Sequence, residues 1–402
     1  MVILKELIEK PISGDWGTDG EGVYVLRTTN FQNDGVINFE NVVNRNVSPK
    51  IIQQKKLLKG DIIIEKSGGS PTQPVGRVVY FHYDGEYICN NFTSILRPRK
   101  DKVHPRYLHY ILFANHKIGI TEQFQNKTTG IINLQLARYI DNVKIPLPPL
   151  DSQKYIAQIL DDAAALRDKT AQLLKEYDNL AQSLFINMFG DPVRNTKGWE
   201  VNTLKKISIK IHSGNTPKGG SEVYVEGGIT FFRSQNVWKN KIVYEDVAYI
   251  DQATHKKMLK SSLKHRDILM TKTGRINTEN SSLGRAAMYL GEDDKANVNG
   301  HVYLIRLKKG IINEFVLHIL TTKEYRGHIR RVCVGGIDKR QLNKDHLENF
   351  PIINPPIELQ KQFAEKLALI QQQKELLKQE LKESEDLFNS LLQKAFKGEL
   401  VK

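Results

Sequence analysis

The chain has 402 residues, room for two or three domains, and its 40% hydrophobic and 26% charged content suits a folded protein with a buried core. Lys plus Arg number 59 against 45 Asp plus Glu, a net charge of +14 that favours a polyanionic partner, nucleic acid or an anionic membrane. Two cysteines exclude a disulfide framework and a zinc module, and no apolar run approaches the roughly 18 residues of a membrane span. Acidic Glu6 comes too early for a secretory signal, so a soluble, cytoplasmic protein is expected.

In chain order, residues 1–150 read as a mixed α and β unit. Short apolar runs at Val23–Thr29, Asp61–Glu65 and Arg77–Phe81 are expected strands, and a helix is expected to start after Pro105 and run through Tyr107–Phe113. Residues 151–190 form a long helix by pattern. Ile156, Ile159, Ala163, Leu166, Thr170, Leu173, Tyr177, Leu180 and Leu184 step alternately by three and four. A linker at 191–198 leads to a second mixed unit, 199–356. Its expected strands are Thr230–Ser234, Ile268–Thr271, Ala286–Leu290 and Tyr303–Leu307, with a helix at Phe315–Val332. Residues 357–402 carry the second heptad run: Phe363, Leu367, Ile370, Lys374, Leu377, Leu381, Ser384, Phe388, Leu391 and Ala395.

The chain is written twice, with a period near 207 residues. Ser13-Gly14 returns as Ser213-Gly214, and Arg27-Thr28-Thr29-Asn30 as Arg233-Ser234-Gln235-Asn236. Asp61-Ile62-Ile63-Ile64 with Lys66-Ser67-Gly68 returns as Asp267-Ile268-Leu269-Met270 with Lys272-Thr273-Gly274, and Gly76-Arg77 as Gly284-Arg285. Pro148-Pro149-Leu150-Asp151 with Gln153 matches Pro355-Pro356-Ile357-Glu358 with Gln360. The expected fold is α+β: two similar mixed α/β units separated by a pair of long antiparallel coiled-coil helices, with an internal pseudo-twofold repeat. The C-terminus is expected to return near Met1, making the organisation cyclic.

Charge follows the repeat. Residues 1–150 hold 19 basic and 14 acidic side chains, and residues 199–356 hold 26 and 16, whereas both helical blocks are near neutral. Enzymatic motifs are weak. Asn354-Pro355-Pro356-Ile357 resembles the base-stacking loop of amino-methyltransferases but has Ile where an aromatic belongs, so a helix start is the better reading. Asp61 with Glu65-Lys66 hints at a metal nuclease, yet Glu65 becomes Thr271 in the second copy. No phosphate-binding loop, Rossmann glycine pattern or metal-ligand cluster is seen.

Nucleic-acid contact remains. Arg27, Asn30, Arg233, Gln235 and Asn236 can make bidentate contacts to base edges, and Lys66, Ser67, Lys272, Thr273 and Arg275 suit phosphates. Lys127, Thr128, Arg330 and Arg331, with the repeated Arg77 and Arg285, complete the candidates. The Arg-x-x-Asn pairs are equally open to a scaffold role, since both copies keep them; the non-matching stretches 68–75 and 275–283 are then the better candidates for reading bases.

Together these features resemble the specificity subunit of type I restriction-modification systems. The resemblance rests on Gly198-Trp199-Glu200, Ser213-Gly214-Asn215-Thr216-Pro217, the two Pro-Pro-x-acid-x-Gln helix starts, and the ending Ser390-Leu391-Leu392-Gln393-Lys394-Ala395-Phe396-Lys397-Gly398-Glu399-Leu400. It implies a non-catalytic subunit that reads a two-part double-stranded DNA target, one half per unit, with the helix pair as spacer and docking surface. It further implies two methyltransferase subunits carrying S-adenosylmethionine, optional restriction subunits using ATP and Mg, and no cofactor on this chain. Ser13-Gly14-Asp15-Trp16 departs from the pattern by lacking the Thr-Pro of the second copy. The competing readings are a self-contained DNA-modifying enzyme and a coiled-coil adaptor whose basic domains bind RNA or another acidic partner.

Overall fold

The computed structural model describes residues 1–400 except Pro71, Thr129, Gly130, Glu279, Asn280, Ile337 and Asp338; of Lys127 and Thr128 it describes the backbone alone. The chain divides into two compact units. The first joins Met1–Leu173 to Leu377–Lys402, and the second is Leu174–Leu376.

In the first unit, β1 (Ile12–Ser13), β4 (Ile62–Glu65), β6 (Val78–Tyr80) and β8 (Thr93–Leu96) form an antiparallel sheet in the order β1-β8-β4-β6. Every residue of β4 is buried, so the strand reads as an unbroken Ile62-Ile63-Ile64 run rather than an alternation. A second sheet sets β2 (Thr18–Leu26) between β3 (Val43–Asn46) and β7 (Tyr87–Cys89), antiparallel to the first and parallel to the other. A third joins β5 (Ser67–Gly69) to the hairpin of β9 (Gln125–Thr128) and β10 (Ile131–Leu134). Helix α1 (Pro105–Lys117) packs on β6, with Pro105 in its first turn.

The second unit repeats this plan. Its β11 (Ser208–Ser213), β13 (Ile268–Thr271), β15 (Ala286–Met288) and β17 (Val302–Leu307) take the matching order β11-β17-β13-β15. A parallel pair of β12 (Ile229–Phe232) with β16 (Ala296–Val298) corresponds to β2 with β7. A small sheet of β14 (Thr273–Gly274), β18 (Val334–Gly335) and β19 (Arg340–Gln341) corresponds to the third. The self-similarity of the sequence is thus a repeat of topology.

Two expected elements end differently. The strand expected to reach Thr29 stops at Leu26, because the Asn30 side chain accepts from the Arg27 N–H at 2.9 Å and turns the chain into a 3-10 turn. The helix expected at Phe315–Val332 is two helices, α3 (Asn313–Thr321) and α4 (Lys323–Val332). Thr322 divides them with an extended backbone (ψ 156°), and its hydroxyl caps α4 by accepting from Tyr325 N–H at 3.2 Å.

The long helices are α2 (Leu150–Phe189) and α5 (Ile357–Lys397). Their shared start motif has a mechanical reason. Gln153 donates its amide to the Pro148 carbonyl and Gln360 donates to the Pro355 carbonyl, each at 2.8 Å, closing the Pro-Pro turn. Helix α2 stops where Gly190 takes φ 76° and donates to the Ile186 carbonyl.

Both helices lend a part to each unit. In the first unit Ile156, Leu160 and Ala163 share a core with Phe388, Leu392 and Ala395, and Arg167 lies over the Phe388 ring at 5.0 Å. Leu4 sits in that same core and Leu400 packs against it, so the two chain ends meet as expected. In the second unit Lys374 pairs with Asp178, while Phe363 packs against Phe185 at 5.4 Å and Phe189 at 5.5 Å. The partner's number falls as the first rises, the signature of antiparallel helices.

The α5 seam follows the expected heptads, with Lys374 held by an ion pair and buried Ser384 donating to the Leu381 carbonyl. In α2 half the register shifts by one. Leu160, Arg167, Leu174 and Ala181 line the seam instead of Ile159, Leu166, Leu173 and Leu180, and Leu166 and Leu180 are exposed.

Candidate nucleic-acid interface

The candidate residues of the first unit gather where β4 ends. The strand is anchored at its other end by a buried ion pair. Asp61, 1% exposed, receives both Arg97 Nε and Nη2 at 2.8 Å and caps Leu58 N–H at 2.7 Å. Asp61 is therefore a structural carboxylate; among the described residues no His, Cys, Asp and Glu group is placed to hold a metal. At the near end Lys66 Nζ lies 2.5 Å from Ser13 Oγ. Burial holds its ammonium below the usual lysine pKa, and nearby Lys55 pushes the same way. Gly14 follows Ser13 because a Cβ there would sit 2.0 Å from the Asn90 carbonyl oxygen.

The second unit rebuilds this arrangement. Asp267 takes Arg306 Nε at 2.8 Å and Nη2 at 2.6 Å and caps Lys264 N–H at 2.7 Å. Lys272 Nζ lies 3.4 Å from Ser213 Oγ and 5.6 Å from the Tyr303 ring centre. A Cβ on Gly214 would meet the Val298 carbonyl oxygen at 2.0 Å. The two Ser-Gly and Lys clusters are thus one device built twice: a lysine beside a serine, at a strand end too tight for any residue but glycine.

Around this device the copies differ in charge. In the first unit Glu65 grips Arg77 with two bonds of 2.9 Å, and Asp15 pairs with Lys55 at 2.8 Å. Thr271 and Asn215 occupy those acidic positions in the second unit. There Arg285 lies over Trp238 at 3.8 Å, and that indole is 41% exposed on a hairpin of Val237–Trp238 with Lys241–Ile242. Lys239 and Lys241 are exposed beside it.

Several candidates make bonds within their own unit. Asn30 and Asn236 are 2% and 0% exposed and hold their own loops: Asn30 donates to the Asn38 carbonyl at 3.0 Å and Asn236 to the Val243 carbonyl at 3.2 Å. These two asparagines are scaffold, and burial removes them from the base-reading set. Arg77 is likewise spent on Glu65 and on the carbonyls of Phe31 and Thr28. Arg27 donates to the Asn41 carbonyl at 2.8 Å, while Arg233 and Gln235 both engage Asp246. Ser67 donates to the Asn133 side chain, and Thr273 meets His301 Nδ1 at 2.8 Å.

Lys127 and Thr128 lie on β9, while Thr129 and Gly130 lie outside the described residues. Arg331 is exposed on α4. Arg330 donates to the Ile276 carbonyl at 2.7 Å, so its guanidinium faces the 275–283 loop. In that loop Arg275, Asn277 and Thr278 are exposed. The sequence reading did not single out Trp238, His301 or Arg326. Trp238 carried a signal in the surrounding Trp-Lys-Asn-Lys, an aromatic among lysines.

The family model of the type I restriction modification DNA specificity domain matches residues 18–176 and 196–385. The chain is 23% identical over 398 residues to the type I restriction enzyme MjaVIII specificity subunit of Methanocaldococcus jannaschii, covering 94% of this chain and 87% of that one. It is 24% identical over 399 residues to the StySPI specificity subunit of Salmonella potsdam, covering 94% and 82%. In fold it is similar to the type I restriction-modification S subunit from M. genitalium, with a TM-score of 0.56 at 15% identity over 98% of this chain and 95% of that one. A chain from a structural study of type I R-M complex assembly and conformational transition gives 0.59 at 18% identity, covering 99% and 97%.

Proposed function

The chain belongs to the type I restriction modification DNA specificity family, and we propose that it selects the DNA target of such a system without catalysing a reaction itself. Each unit reads one half of a split double-stranded sequence, through residues 1–150 and 199–356. The observation that carries this reading is the doubled Lys-Ser-Gly device on one fold, Lys66 with Ser13 and Lys272 with Ser213, flanked by loops that differ between copies. A repeated basic site suits the phosphate backbone, which is alike everywhere, and divergent loops suit two different base sequences.

As part of the proposal, α2 and α5 act as spacer and as docking surface for two methyltransferase subunits that carry S-adenosylmethionine. Restriction subunits using ATP and Mg join where the system has them. Selection from a randomised duplex pool tests the reading: two short fixed blocks with an unspecified gap are expected, and one continuous block contradicts it. Methyl transfer to DNA from labelled S-adenosylmethionine by this chain without partners would instead establish a self-contained enzyme.

A further inference from the structure

Residues 275–278 and 281–283 are held by two arginines of α4. Arg326 Nη1 donates to the Leu283 carbonyl at 2.9 Å, and its Nη2 donates to the carbonyls of Ser281 at 2.8 Å and Thr278 at 3.4 Å. One turn further on, Arg330 donates to the Ile276 carbonyl at 2.7 Å. The spacing of four residues puts both guanidinium groups on one helix face. These four acceptors are main-chain oxygens at Ile276, Thr278, Ser281 and Leu283, so the bonds hold the backbone at those positions whatever side chains they carry.

The rest of the loop supports that division. Ile276 and Leu283 are buried in the core of the second unit together with Ile329 of α4. Thr278 N–H donates to Ser281 Oγ at 2.9 Å, and Leu283 N–H to the Arg275 carbonyl at 3.0 Å, so 275–278 and 281–283 are tied to each other. Between these anchors Arg275, Asn277 and Thr278 are exposed. A flexible segment would lose conformational entropy on binding; backbone held at Ile276 and Thr278 presents the neighbouring side chains in a set geometry.

We infer that Arg326 and Arg330 are positioning residues for base reading: they clamp the backbone at Ile276, Thr278, Ser281 and Leu283 so that Arg275, Asn277 and Thr278 face the bases of one half-site. The inference rests on the proposed role of that loop in reading DNA.

The test uses the full 402-residue chain and selection from randomised duplex DNA, with salt-dependent binding measured in parallel. N277A and exchange of the loop sequence test the loop; R326A and R330A test the clamp. R326A is expected to lose about 5- to 150-fold of discrimination at the half-site positions that N277A also relaxes, the range of one bidentate base contact. Its salt dependence and the other half-site should stay unchanged. A fall in affinity for all sequences, with a log–log salt slope shallower by about 0.9, would make Arg326 a phosphate ligand and overturn the inference. Unaltered base preference in folded R326A would also overturn it. Should R326A fail to fold, R326K keeps the charge but lacks the fork that spans three carbonyls, and the same relaxed half-site is expected. Loop exchange that leaves both halves unchanged overturns the reading itself; loop exchange that changes one half while R326K does not overturns the clamp alone.

Discussion

If Lys66 and Lys272 each neutralise one phosphate, removing either has a calculable effect. The only side-chain hydroxyl or carboxylate within hydrogen-bond distance of either ammonium, among the described residues, is Ser13 Oγ for Lys66 and Ser213 Oγ for Lys272. Each is therefore a cation without a carboxylate partner at a strand end. Releasing one counterion per contact contributes about −0.9 to the slope of log affinity against log salt. Between 50 and 200 mM salt, a fourfold change, one lost contact narrows the gap between wild type and variant by about 3.5-fold, and two by about 12-fold. Fluorescence anisotropy with a target duplex and a scrambled duplex measures both quantities. K66A and K272A should weaken binding to the two duplexes alike, and the double variant should show the summed slope change. An unchanged slope, or a shift in base preference, would refute the assignment to phosphate. Alkaline pH adds a sign: burial lowers the Lys66 pKa, so its ammonium loses its proton at milder pH than an ordinary lysine, and its share of the slope should vanish there first.

Other consequences are as direct. D267A strips a carboxylate from a pair whose acid is 1% exposed, and about 3–5 kcal/mol of stability should go, read by urea unfolding; under 1 kcal/mol would contradict the structural role. F363A empties a site packed by Phe185, Phe189 and His318 and should cost about 3–5 kcal/mol by the same assay. W238A should lower DNA affinity and abolish any quenching of indole fluorescence on binding, while unchanged quenching would place that Trp away from DNA. Burial lowers the pKa of His116 and of His318 to about 4, so the folded chain leaves both neutral while the unfolded chain protonates them. Stability is then full above about pH 6.5 and falls by about 1.4 kcal/mol per pH unit for each histidine as pH drops toward 4; urea midpoints that hold constant across that range would contradict this.

The sequence carried the architecture because a repeat and a heptad are periodic signals. Ser13-Gly14 and Ser213-Gly214 were visible as text, and the close approach of the Asn90 and Val298 carbonyls supplies their reason. The α2 seam was half legible. Leu166 and Leu180 are as apolar as the residues that line it, and only packing showed Arg167 stacked on Phe388. Polar residues were least legible. Asn30 and Asn236 carry the same chemistry whether they face a base or cap a turn, and burial alone separates the two. Arg326 gave no signal at all, since the carbonyls of Thr278, Ser281 and Leu283 that it holds are groups every residue possesses.

The most direct test of separable reading is exchange of residues 199–356 for the matching segment of a relative with a different target, followed by selection from randomised duplex DNA. One block of the consensus should switch to that of the donor while the other block keeps its sequence. A chimera that folds and binds DNA but changes both blocks, or neither, would contradict the account.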